Sequence, residues 1–147
     1  MSLAMNREEL NAFMHRAFPQ VAGQVMVESL DRDRLVARLR VQDQHLRPGG
    51  TVSGPAMFAL ADVAIYLAIL ARIGEVALAV TTNASIDFMR KPVSGCDLLA
   101  ECRILKLGRV LAVGECLIRS EGQAEAVARC SMTYSIPPKS PENRALA

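Results

Sequence analysis

The run from Gly54 to Ile73, GPAMFALADVAIYLAILARI, constrains this chain more than any other feature. Its twenty residues are almost all apolar, Ser53 and Gly74 bound it, and a single carboxylate, Asp62, stands near its centre. A segment that is apolar all round either crosses a membrane or forms the centre of a folded domain. In both settings an ionised carboxylate is costly unless it is paired, hydrogen-bonded or protonated. Length alone admits a membrane span, but the rest of the chain reads as a soluble sheet, so a helix buried on nearly all sides is expected. Ser53 suits its N-cap, Pro55 falls in the first turn where a missing N–H costs little, and Gly74 ends it.

The flanks supply the covering. Asn6 to Phe18 has an Asn cap, an acidic first turn and apolar residues Leu10, Phe13, Met14 and Phe18 at helical spacing, and it stops at Pro19. Val21 to Leu30 and Arg34 to Val41 shift towards strand alternation, with DRDR as the turn between them. A polar loop from Gln42 to Ser53 leads into the long helix. After it come four strand-like runs: Val76 to Phe88, Asp97 to Lys106, Arg109 to Ser120 and Gln123 to Ile136. KLGR and SEGQ make tight turns that pair the last three as an antiparallel meander. One long apolar helix needs a curved antiparallel sheet around it, so the fold class is α+β. A single domain over residues 5–136 is expected, with a frayed tail from 137 to 147 and Met1-Ser2-Leu3 set aside as a cloning remnant.

Composition narrows the function. Among 147 residues, 17 Lys and Arg offset 15 Asp and Glu, a net +2 that is too small and too scattered for nucleic acid. Four Phe, two Tyr and no Trp leave little for base stacking. Cys96, Cys102, Cys116 and Cys130 form no C-x-x-C pair, and only His15 and His45 could assist them, so buried thiols in a reducing cytoplasm are expected rather than a metal site. The N-terminus lacks a signal-peptide pattern.

Asp62 admits two readings. It can be a structural acceptor, or the partner of an Arg such as Arg47. Its surroundings suggest chemistry instead: a Gly-rich loop, then a helix start whose free N–H groups suit a developing oxyanion, then a carboxylate in an apolar pocket. Gly54 and Asp62 are about 12 Å apart along a helix rising 1.5 Å per residue, so one carbonyl cannot touch both. Joint action on one substrate requires two subunits with their helices antiparallel across a two-fold axis. An active site therefore implies a homodimer.

GGTVSGPAMFALAD resembles the pattern G-x-x-H-G-G-x-x-x-x-L-x-D/E of hotdog-fold acyl-CoA thioesterases, particularly the PaaI-like group of phenylacetate degradation. The likeness runs over roughly residues 20–136, through the FMRKP strand end, the LLAE strand, the GR turn and the Ala-rich last strand. It implies a long central helix wrapped by about five to six strands. It makes Asp62 the general base or nucleophile, gives the Gly54 N–H the task of polarising the thioester carbonyl, and matches Thr81 to a Ser/Thr that orients water. Ser53 stands in place of the family His, Pro55 replaces its second Gly, and Arg47 replaces an Asn six residues before that His. Arg90, Lys91 and Arg109 fall where such enzymes present cations to the nucleotide, and Met57, Phe58 and Tyr66 lie where the acyl chain would run. Coenzyme A is then part of the substrate and no cofactor is implied.

Three functions follow. The first is hydrolysis of an acyl-CoA by a cytoplasmic homodimer, itself pairing into a tetramer. The second is a non-catalytic acyl-CoA binding or sensing protein, suggested by Arg47 and Ser53. The third is a dehydratase or hydratase with His45 and Asp62 as an acid–base pair, because HLRPGG resembles dehydratase loops.

Overall fold

Asn6 opens the first helix with a reciprocal cap: its side chain accepts the Glu9 N–H at 2.8 Å and its own N–H reaches the Glu9 carboxylate at 3.0 Å. The structure, a computed structural model, describes residues 3–138, so the tail expected beyond Pro137 lies almost wholly outside the described residues. Helix α1 (Arg7–Ala17) buries Leu10, Phe13 and Met14. The chain does not enter a strand at Val21, because Pro19 starts a one-turn helix, α2 (Pro19–Ala22). Pro is preorganised for a first helical position, and that local preference overrides the weak alternation read there.

Strands β1 (Val25–Leu30) and β2 (Leu35–Leu39) form a hairpin whose turn is held by Asp31, which accepts the N–H groups of Asp33 and Arg34. Helix α3 (Gly54–Ile73) follows, then β3 (Val80–Phe88), β4 (Leu98–Leu107), β5 (Leu111–Ser120) and β6 (Ala126–Ser135). Strand β3 begins four residues later than the alternation from Val76 suggests. Val76 is fully buried and its carbonyl accepts the Ala79 N–H at 3.1 Å, so residues 76–79 turn rather than extend.

The six strands make one antiparallel sheet in the order β1-β2-β4-β5-β6-β3. It wraps α3, whose residues from Leu60 to Ala71 are buried except for Asp62. This is the hotdog architecture, and α3 is its core helix rather than a membrane span. The sheet's inner face is small and apolar where α3 comes closest. At Gly114 on β5 a Cβ would stand 2.8 Å from Ile65 Cγ2 of α3, so only glycine permits this seating. Beside it Cys102, Cys116 and Cys130 lie opposite one another on β4, β5 and β6, all buried. Burial raises the thiols of Cys102 and Cys130, which leaves them as packing groups. On the outer face Arg38 joins β1, the segment entering β4 and the turn before β6 through Glu28, Asp97 and Glu121 at 3.0, 2.9 and 2.8 Å.

The two sheet edges differ. Along β1, Asn11 of α1 accepts the Val27 N–H at 2.8 Å and donates to the Val27 carbonyl at 3.1 Å, while Arg7 donates to Glu28 O. Side chains of α1 thus occupy that edge as a further strand would. Strand β3 pairs only with β6 among the described residues, and most of it is exposed, as are Phe88 and Met89 at its end and Pro55, Phe58 and Ala59 on α3. An open edge beside uncovered apolar groups is a template for another strand.

Candidate active site

Asp62 faces a cavity of about 440 Å³ between the α1–α2 corner and the segment leading into β3. Ala17, Phe18 and Leu78 line its sides, with Val63, Tyr66 and Tyr134 near the carboxylate. The half-buried Asp62 has no ion-pair partner among the described residues, so its compensation is hydrogen bonding. Thr81 Oγ1 donates to Oδ1 at 2.6 Å, and the Tyr134 hydroxyl donates to that same oxygen while lying 2.5 Å from the Asp62 carbonyl oxygen. Oδ2 has no partner among the described residues. Thr81 and Tyr134 are directly opposite in the β3–β6 register, which delivers both hydroxyls to one point. Burial and the Asp62 charge hold the Tyr134 phenol well above its ordinary pKa, so it remains a donor.

Tyr134 is absent from the sequence-derived site. Its available signal is slight: one of two tyrosines in the chain, on the inward phase of the last strand, where a buried hydroxyl needs a partner. The other, Tyr66, packs its ring 6.2 Å from that of Tyr134 and donates to the Ala77 carbonyl at 3.0 Å. Burial pushes its phenol up to about 12. Tyr66 thereby fixes the cavity wall formed by residues 77–81.

Gly54 opens on a separate cavity of about 380 Å³ that Met57, Phe88, Met89, Arg47, Arg90 and Lys91 help to line. The donors of the first helical turn are nearly all used or missing. Ser53 Oγ accepts the Ala56 N–H at 3.3 Å, Ser53 O accepts the Met57 N–H at 3.1 Å, and Pro55 has none. Among the described residues only the Gly54 N–H of this turn lacks an acceptor. A side chain at 54 would crowd Phe88, whose Cζ lies 3.3 Å from where a Cβ would stand.

The expected site residues therefore divide. Asp62, Thr81 and Tyr66 share one cavity; Gly54, Met57, Arg47, Arg90 and Lys91 share the other. Arg90 is committed to Glu125 at 3.2 Å and to the Ala126 carbonyl at 3.1 Å. Ser53 is spent as the helix cap. Pro55 and Phe58 are exposed on α3, and Arg109 is exposed in the β4–β5 turn, outside both cavities. Among the described residues no cluster of His, Cys, Asp and Glu is suited to a metal ion.

His45 is buried and turned to a structural task. Nδ1 accepts the Gln42 N–H at 2.9 Å, Nε2 faces Gln24 Oε1 at 3.0 Å, and its carbonyl accepts the Ser53 N–H at 2.8 Å. The pattern requires a neutral ring with its proton on Nε2, leaving neither nitrogen for an acid–base partnership with Asp62. Burial lowers its pKa below the ordinary value of 6.5. Because the unfolded chain takes up the proton first, this stability is complete above about 6.5 and is lost as pH falls through that value towards the lowered one. Thermal melts should therefore fall as the pH drops from about 7 to 5. His45→Gln should melt lower at neutral pH and with a flatter slope; an unchanged slope would remove His45 from this role.

The sequence profile of the thioesterase superfamily matches residues 49–127, from the loop before α3 into β6. Among solved structures, a candidate thioesterase of Silicibacter sp. is 57% identical, with a TM-score of 0.88 over 94% of this chain and 96% of its own. A mutant of the phenylacetic acid degradation protein PaaI from Thermus thermophilus is 28% identical, with a TM-score of 0.68 over 81% of this chain and 99% of its own. A candidate esterase of Caenorhabditis elegans is 26% identical over 124 residues, 84% of this chain and 73% of its own. With the matched profile spanning both the Gly54 turn and Asp62, the chain belongs to the thioesterase superfamily.

Proposed function

We propose that this protein hydrolyses acyl-CoA thioesters as a homodimer whose active sites combine Gly54 of one subunit with Asp62 of the other. The observation that carries this reading is the separation of two incomplete halves: a free helix-start N–H in one cavity and a carboxylate with one free oxygen in another, on the same helix. Pairing through the open β3 edge covers the exposed apolar groups of β3 and α3 and sets two α3 helices antiparallel. The Gly54 N–H then faces the carbonyl oxygen of a substrate whose carbon is within reach of the opposite Asp62.

In the general-base form, Asp62 Oδ2 removes a proton from water as the oxygen attacks the thioester carbon, and the negative charge collects on the carbonyl oxygen beside the Gly54 N–H. Collapse expels coenzyme A as a thiolate, which takes up the proton and leaves a carboxylic acid. Arg47 and Lys91, without ion-pair partners among the described residues, stand at the Gly54 cavity where the phosphates of coenzyme A would lie. The apolar cavity beside Tyr66 and Phe18 suits the acyl group. The free thiols Cys96, Cys102, Cys116 and Cys130 suit a reducing cytoplasm.

The test is free-thiol release from aromatic and aliphatic acyl-CoAs by the purified protein, with its oligomeric state measured alongside. Saturable turnover by a dimer or a higher even-numbered assembly supports the reading. Saturable binding without thiol release would replace it with the acyl-CoA binding protein.

A further inference from the structure

We propose that Tyr134 is a positioning residue for this hydrolysis: with Thr81 it occupies Oδ1 of Asp62, leaving Oδ2 as the carboxylate oxygen that meets the attacking water. The inference rests on the thioesterase reading of the Asp62 cavity.

A carboxylate on a helix has two equivalent oxygens and two side-chain torsions, so without constraints it presents either oxygen over a range of angles. Here two donors from neighbouring strands converge on one oxygen. Thr81 arrives from β3 and Tyr134 from β6, and their register opposite one another fixes the spacing of the two hydroxyls. Tyr134 has a further anchor because its hydroxyl also lies against the main-chain carbonyl of Asp62. It therefore references the carboxylate to the helix backbone as well as to the sheet. The Tyr134 hydroxyl is committed to Asp62, and burial beside that carboxylate keeps the phenol protonated, so it serves as a standing donor to Oδ1. Its contribution is geometric, and geometry of this kind appears in kcat, since misplacing a reacting group by about 1 Å costs on the order of 10²-fold.

The ring of Tyr134 does separate work. It packs on Tyr66 and lines the cavity proposed for the acyl group. Two substitutions separate these contributions. Tyr134→Phe keeps the ring and deletes the hydroxyl; Tyr134→Ala deletes both. With the best acyl-CoA of the panel, Tyr134→Phe should lower kcat by about 10- to 100-fold and leave KM within about threefold. Tyr134→Ala should raise KM as well. Because Tyr134 acts through the carboxylate, adding Tyr134→Phe to Asp62→Asn should cost less than about threefold beyond Asp62→Asn alone.

A folded Tyr134→Phe protein with kcat within twofold of the parent would overturn this inference and leave the thioesterase reading standing. Equal losses from Tyr134→Phe in the parent and in the Asp62→Asn background would also overturn it, since a purely structural hydroxyl acts alike in both. A parent that releases thiol from no acyl-CoA overturns the thioesterase reading and this inference together.

Discussion

Asp62→Asn is expected to lower kcat by about 10³-fold, the usual loss when a positioned general base is removed. The fold should be unaffected. Asparagine has the same shape, and its carbonyl oxygen can accept from Thr81 and Tyr134 as Oδ1 does now. The amide nitrogen would then replace Oδ2 and point a donor where an acceptor is required. Water in that position loses the group that takes its proton, and an acyl-enzyme route loses its nucleophile. The substitution also removes a charge from a partly buried site that has no cationic partner among the described residues, so the melting temperature should stay level or rise slightly. Acyl-CoA binding should be nearly unchanged, because the apolar walls and the Gly54 turn remain. Steady-state kinetics with thermal melts and a binding titration distinguish this outcome from unfolding. A variant that keeps more than a tenth of the parent kcat would remove Asp62 from the chemistry.

What the sequence made legible follows from the range of each interaction. Helix α3 is readable because its determinants are local: an unbroken apolar run, Ser53 as a cap that the structure finds bonded to Ala56 N–H, and Gly74 with φ of 89° at its end. Asp62 is conspicuous because one carboxylate in such a run demands an explanation. The separation of Gly54 from Asp62 follows from helix rise alone, and the structure places them in different cavities. Tyr134 is not legible in this way. It is 72 positions from Asp62, and an inward tyrosine on a strand looks like any other core residue until the β3–β6 register sets it opposite Thr81. The strand edges are equally long-range. Nothing in the alternation of Val25–Leu30 reveals that Asn11 closes its edge, leaving β3 open. The neutral ring of His45 depends on Gln24, 21 residues earlier in the chain.

Mixing two inactive proteins should restore activity. Gly54→Pro deletes the one first-turn N–H without an acceptor among the described residues, at the first helical position, where proline is tolerated. The Cβ it adds meets the movable end of Phe88 rather than main chain. Loss of that donor should lower kcat by about 10²-fold or more. Gly54→Ala retains the N–H, places the same Cβ against Phe88 and should keep most of the turnover. In a homodimer with composite sites, a subunit carrying Gly54→Pro still offers a normal Asp62, and one carrying Asp62→Asn still offers a normal Gly54. Each mixed dimer therefore holds one site with both groups intact and one with neither. Random assortment makes half of the dimers mixed, so co-refolded or co-expressed subunits should recover about a quarter of parental turnover. If both groups had to come from the same chain, no mixed dimer would contain an intact site and activity would remain at the level of the two variants. Differently tagged subunits purified through both tags settle the matter: about half of parental activity per mixed dimer is expected, and background activity there would refute a site shared between subunits.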